Sequence, residues 1–196
     1  MIQDLDETIK ELLVQKVPIN TSAIDIKFDM PTKEWSTTIT KPTINLFLYD
    51  LRENVELRSN ERYWTRTGNP PTSATESRAP VRLDLSYLIS VWTTEISDEH
   101  RLLGRLLATL FRFHVLPTDV LQGSMQAQPL PLLACVAQPE RTPNSWDVWA
   151  EFDHRLKAAL SYVVTLSVDP YAPEVYDHLV QTRQTTLTLL GTPNDH

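Results

Sequence analysis

Glycine is scarce in this chain of 196 residues. There are four, Gly68, Gly104, Gly123 and Gly191, against 14 prolines. Loops that cradle phosphate, and the dinucleotide-binding fingerprint, need several glycines within a few residues, so the spacing excludes both. Cysteine is scarcer still: Cys135 stands alone, which excludes an internal disulfide and a Cys-rich zinc set. Positive charge is in deficit, with 18 Lys and Arg against 25 Asp and Glu and a net charge of −7. That balance repels a phosphate backbone, so no nucleic-acid partner is expected. No stretch reaches the ~18 uncharged apolar residues of a membrane helix, so no membrane insertion is expected. The acidic start, Met1 to Glu7, has neither signal-peptide nor transit-peptide character, and the expected place of assembly is the cytoplasm.

What is present is periodic. Ile2, Leu5, Ile9, Leu12 and Leu13 recur at helical spacing, with Pro18 closing a helix over 2–15. Ala23 to Phe28 alternates apolar and charged, which predicts a half-buried strand. Residues 30–42 read as a loop or weak hairpin, and Thr43 to Leu51 as a strand covered on both sides. Val81 to Thr93 is the clearest strand, with Leu83, Leu85, Tyr87, Ile89 and Val91 on one face. Ser97 is the expected N-cap of a helix that runs to about His114 on a stripe of Leu102, Leu103, Leu106, Leu107, Leu110 and Phe111. Pro129 and Pro131 demote Leu130–Ala137 to an edge strand. Asn144 or Ser145 caps a short helix with Trp146, Trp149 and Phe152, Leu160–Val168 alternates as a further strand, and Val175–Leu190 is a Thr-rich segment of strand character.

Residues 58–80 read as a long connection. It carries Arg58, Arg62, Arg66 and Arg78 with Tyr63 and Trp64 interleaved. Arginine beside an exposed aromatic is the composition of an interface hot spot. Arg62, Tyr63, Trp64 and Arg66 are therefore candidate partner contacts, together with Leu179, Thr182 and Thr186 in the Thr-rich segment. Catalytic chemistry does not accumulate. No two of His100, His114, His154, His178 and His196 are three or four residues apart, Ser124 lacks the second glycine of a nucleophile elbow, and Cys135 lies in an apolar run. No enzymatic activity, no metal and no cofactor are expected.

Four segments occur in one order: Leu46-Phe47-Leu48-Tyr49-Asp50-Leu51-Arg52-Glu53-Asn54; Pro80-Val81-Arg82-Leu83-Asp84-Leu85-Ser86-Tyr87-Leu88; Trp92 with the leucine-rich helix at 101–111; and Trp146-Asp147-Val148-Trp149 leading into Leu160-Ser161-Tyr162-Val163-Val164. Together they resemble the N-terminal domain of the cap proteins of extracellular contractile injection systems of the antifeeding-prophage and virulence-cassette type. The resemblance, which covers 1–170, implies an α+β tail-terminator fold, a single mixed sheet with packed helices; 171–196, beyond it, is set apart as a C-terminal extension or arm. The resemblance also implies a homohexameric ring whose partners are sheath subunits and inner-tube or tube-terminating proteins of a bacterial phage-tail-like particle. It implies no cofactor and carries no catalytic residues. The residues by themselves also fit a small soluble module that binds a peptide or ligand without catalysis.

Overall fold

Proline marks the borders of the main strands. Pro42 stands before β2 (Thr43–Glu53), Pro80 before β5 (Val81–Trp92) and Pro170 after β7 (Ala159–Val168). The structure is a computed structural model that describes residues 1–20, 22–68, 71–138, 157–171 and 174–177. Its other elements are α1 (Ile2–Lys16), β1 (Asp25–Lys27), α2 (Lys33–Thr37), β3 (Arg62–Gly68), β4 (Pro71–Arg78), α3 (Ile96–Leu110), β6 (Leu133–Val136) and β8 (Glu174–Asp177), with short 3-10 turns at Val55–Leu57, Thr118–Val120 and Gly123–Ala127. The chain divides into two compact units, Met1–Arg58 with Pro80–Asp169, and Ser59–Ala79 with Pro170–His196.

The first unit is built on a five-stranded sheet in the order β1-β2-β5-β7-β6. β1 runs parallel to β2 and every other pair is antiparallel, so the expected α+β class and mixed sheet are present. One face carries the core. Leu5, Ile9, Leu12 and Leu13 of α1 and Leu102, Leu106 and Leu110 of α3 close over Ile44, Leu46, Leu85, Tyr87, Ile89, Leu160, Tyr162, Val164 and Leu166. Each fully buried leucine contributes about 1.5–3 kcal/mol against exposure.

The other face is buried too, and it sets polar side chains among apolar ones such as Leu88 and Val163. Asn45, Ser86, Ser90, Thr165 and Ser167 are all buried there. Small polar side chains tolerate this when their bonds are made locally. Asn45 donates to the Asp29 carbonyl at 2.8 Å and accepts from the Asp29 amide at 3.1 Å. The Trp92 indole donates to Ser90 at 2.9 Å, and its ring meets Trp35 edge-to-face at 5.3 Å.

Four expectations need correction. Residues 30–42 hold a helix, α2, because Thr32 Oγ1 accepts from the Trp35 amide at 3.1 Å and caps it. The cap of α3 is Glu95, not Ser97. The Asp98 and Glu99 amides already bond the Glu95 carbonyl, so the first turn forms two residues earlier. That helix ends at Leu110. His114 lies beyond it, where its carbonyl accepts from the Ala134 amide at 2.8 Å. Finally, the stretch read as a connection contains the hairpin β3–β4. Trp146, Trp149 and Phe152 lie outside the described residues.

α1 is pinned at polar points as well as by its apolar stripe. Ser124 donates its hydroxyl and, at 3.1 Å, its amide to the Asp4 carboxylate. Gly123 has φ +52°, and a Cβ there would meet the Asp4 carboxylate carbon at 2.7 Å, so only glycine fits the turn. Deeper in, the Tyr87 hydroxyl donates to Asp6 Oδ1 at 2.7 Å. Burial pushes the Asp6 carboxyl above its ordinary value, the bond from Tyr87 draws it back in part, and Glu7 adds to the rise. A raised acid pKa means that the folded chain holds the proton more tightly than the unfolded chain. Asp6 therefore takes stability away as pH rises through the window just above 3.8. Asp6→Asn keeps an acceptor for Tyr87 and is expected to remove that decline. Urea midpoints of both proteins between acid and neutral pH should converge at the acid end and separate in favour of the variant above it. Asp4, Glu53 and Asp119 are shifted downward by their bonds to Ser124, Arg58 and Lys16 and act with the opposite sign, but they are common to both proteins.

Candidate functional site

The candidate contacts on the hairpin come together. β3 pairs antiparallel with β4, and β4 with β8, so the second unit is a three-stranded sheet in the order β3-β4-β8. The predicted strand character of the segment from Val175 is met over Glu174–Asp177. Period-2 alternation puts Arg62, Trp64 and Arg66 on one face of β3 and Tyr63, Thr65 and Thr67 on the other. Opposite the first row stand Arg78, Glu76 and Ala74 of β4.

Every residue of β3 is exposed, with Tyr63 at 52% and Trp64 at 54%. Its charges are partly matched within the unit. Arg62 Nη1 lies 2.8 Å from Glu76 Oε1, a carboxylate that is itself buried. The Tyr63 hydroxyl donates to Glu61 at 2.9 Å, and that bond pushes its phenol upward. Arg78 lies over the Tyr171 ring at 5.2 Å. Opposite Arg66 stands the small side chain of Ala74. Two large aromatics and an arginine held outward on a paired strand make a contact surface at low entropic cost. Leu179, Thr182 and Thr186 lie outside the described residues.

In the first unit, a second exposed surface was not read from the sequence. Leu51, Val55 and Leu57 at the end of β2 are 46%, 65% and 40% exposed. β1 pairs with β2 only from Thr43 to Asn45, so the rest of β2 continues past its neighbour. The signal lies in β1, whose pairing stops at Lys27, and local periodicity does not report where pairing stops.

Reactive chemistry does not assemble among the described residues. No group of three or more His, Cys, Asp and Glu side chains is placed to hold a metal there. Ser124 is bonded to Asp4, and Cys135 is half-buried on β6. His154, His178 and His196 lie outside the described residues. A groove of about 320 Å³ runs past Ile24, Pro42 and Thr94 to Leu102, Arg101 and Arg105. Its cations are already engaged: Arg101 lies 3.0 Å from Asp98, and Arg105 donates to the Pro18 carbonyl at 3.4 Å. No helix among the described residues is long and apolar enough to cross a membrane.

Comparison with known proteins gives a consistent picture. The model of the Pvc16 N-terminal domain matches residues 4–181. The sheath/tube terminator of an extracellular contractile injection system, PVC, in its extended state, superimposes with a TM-score of 0.69 at 21% identity over 99% of this chain. The tube-terminating cap of the anti-feeding prophage gives 0.65 at 21% identity over 95% of this chain. The chain spans 65% and 61% of the lengths of those two proteins, respectively. No curated protein matches.

Proposed function

The chain belongs to the Pvc16 N-terminal domain family, and from that premise we propose that it is a structural cap that terminates the tube and the contractile sheath of a phage-tail-like contractile injection system. The observation that carries this reading is the family match over residues 4–181 on a chain whose fold is that of a sheath/tube terminator and of a tube-terminating cap. In the proposed role six copies close into a ring. A tail-terminator-like domain over 1–170 forms its body, and 171–196 serves as an extension. Partners are the last sheath subunits and the end of the inner tube, assembly takes place in the cytoplasm, and no reaction is catalysed. The exposed row Arg62, Trp64 and Arg66 with Tyr63 supports a contact role for the hairpin.

Removing the chain from an otherwise complete particle-producing strain is expected to give tubes and sheaths of widely scattered length, with restoration by the wild-type chain supplied in trans. The measurement is the length distribution of negatively stained particles. A narrow, unchanged distribution without the chain would overturn the reading.

A further inference from the structure

Two sheet margins are open among the described residues, and they differ in chemistry. The first is the outer edge of β3. The Ala79 amide donates to the Glu61 carbonyl at 3.1 Å, which makes 61 and 79 a hydrogen-bonded pair. In an antiparallel ladder the next pair alternates, so Arg62 opposite Arg78 and Arg66 opposite Ala74 turn their own N–H and C=O groups away from β4. The second is the margin of β2 beyond β1. The Asn54 amide donates to the Arg82 carbonyl at 2.8 Å, so 54 and 82 form a bonded pair. By the same alternation Leu51 opposite Leu85 and Glu53 opposite Leu83 turn their backbone groups outward. Open edges of this kind are templates for another strand.

We propose that β3 of one copy adds as a strand to the Leu51–Glu53 margin of β2 in the next copy. The proposal deepens the ring in the reading above and rests on that reading only for the closure of the ring. Side chains favour this pairing. In an antiparallel addition residues with outward backbone groups stand opposite one another, so the Arg62, Trp64 and Arg66 row extends the row of the exposed Leu51 and of Glu53. Arg66, which stands opposite Ala74 within its own hairpin, is then set beside the Glu53 carboxylate. Pairing of β3 with β3 of a second copy is disfavoured. A two-fold axis at Trp64 would set Arg62 against Arg66 twice, and like charges directly opposite repel. The contact is therefore heterologous, with a donor edge and a distinct acceptor edge, which is the geometry that closes rings.

The test uses the full chain, with mass followed by sedimentation over a concentration series. Arg66→Pro and Leu51→Pro each delete an outward N–H and no bond of the existing ladder. Each variant alone is expected to self-associate about tenfold or more weakly than wild type. An equimolar mixture is expected to give a dimer, because one good donor meets one good acceptor. Should a proline disturb folding by circular dichroism, Arg66→Glu supplies the same loss by like charge beside Glu53, and Glu53→Arg is expected to restore it. Unchanged association in both proline variants would overturn the proposal and leave a ring through other surfaces standing. Loss in Arg66→Pro alone, with Leu51→Pro normal, would overturn it by assigning β3 a different acceptor. A wild-type chain that stays monomeric at the highest attainable concentration would overturn self-pairing, while the particle-length experiment still judges the cap role.

Discussion

Lys157→Met is expected to destabilise the first unit by about 3–5 kcal/mol, the usual cost of leaving one charge of a buried pair alone. Lys157 Nζ bonds the Glu99 carboxylate, and the two side chains are 19% and 8% exposed. Glu99 sits in the first turn of α3, and Lys157 just before β7, so the pair ties a helix to the entrance of a central strand. The same ammonium lies 4.9 Å from the centre of the Trp92 ring. Methionine retains the aliphatic stem and its contacts there but leaves the largely buried carboxylate without its partner. The helix N-terminus offsets only a small part, about 0.3–1 kcal/mol. If Glu99 is replaced as well, by leucine, the stranded charge disappears, and the double variant is expected within about 1 kcal/mol of wild type. Denaturant midpoints of the four proteins in the cycle decide it. A single variant as stable as wild type would show that Glu99 is solvated when unpaired.

The pair also shows where the sequence is legible and where it is not. Glu99 reads locally as an acid in the first turn of a helix, which is correct but incomplete. Its partner lies 58 positions away, and no local pattern connects them. The helices and strands that carry the core are legible because burial on one face leaves a period. Leu5, Ile9 and Leu12 mark α1, and Leu83, Leu85, Tyr87 and Ile89 mark β5. The hairpin strand β3 escaped for the converse reason. Both of its faces are exposed, so Arg62 to Gly68 has no apolar alternation to detect, and only its composition hinted at contact. The start of α3 lies two residues before Ser97, although a serine is the better isolated cap, because the Glu95 carbonyl takes that role. The β2 margin is not a sequence property at all, since it exists because the pairing of β1 stops opposite Asn45.

Asp84→Ala is the second substitution expected to cost about 3–5 kcal/mol, for a different physical reason. The Asp84 carboxylate accepts from Asn54 Nδ2 at 3.1 and 3.0 Å and from Thr165 Oγ1 at 2.5 Å. It thus gathers β5, β7 and the residue that follows β2. Asn54 and Thr165 are 5% and 2% exposed, so alanine leaves two buried donors without their acceptor. Arg82, two residues along the same strand, is buried as well. Desolvation pushes its guanidinium downward and the Asp84 charge supports it, so alanine also removes that support. Asp84→Asn keeps the shape and one acceptor oxygen but turns an amide against the Asn54 donor, so roughly half the loss is expected. A local readout separates this network from ordinary core damage. Asn54 Oδ1 accepts from the Leu57 amide at 3.1 Å and shapes the turn that follows the proposed acceptor margin. Once Asp84 no longer holds the Asn54 side chain, Leu57 amide exchange should accelerate more than that of β5 and β7 under conditions where both proteins remain folded. Equal acceleration throughout would mean that Asp84 stabilises the sheet as a whole and does not position the exit of β2. It would also remove any reason for self-association to weaken in Asp84→Ala beyond its loss of stability.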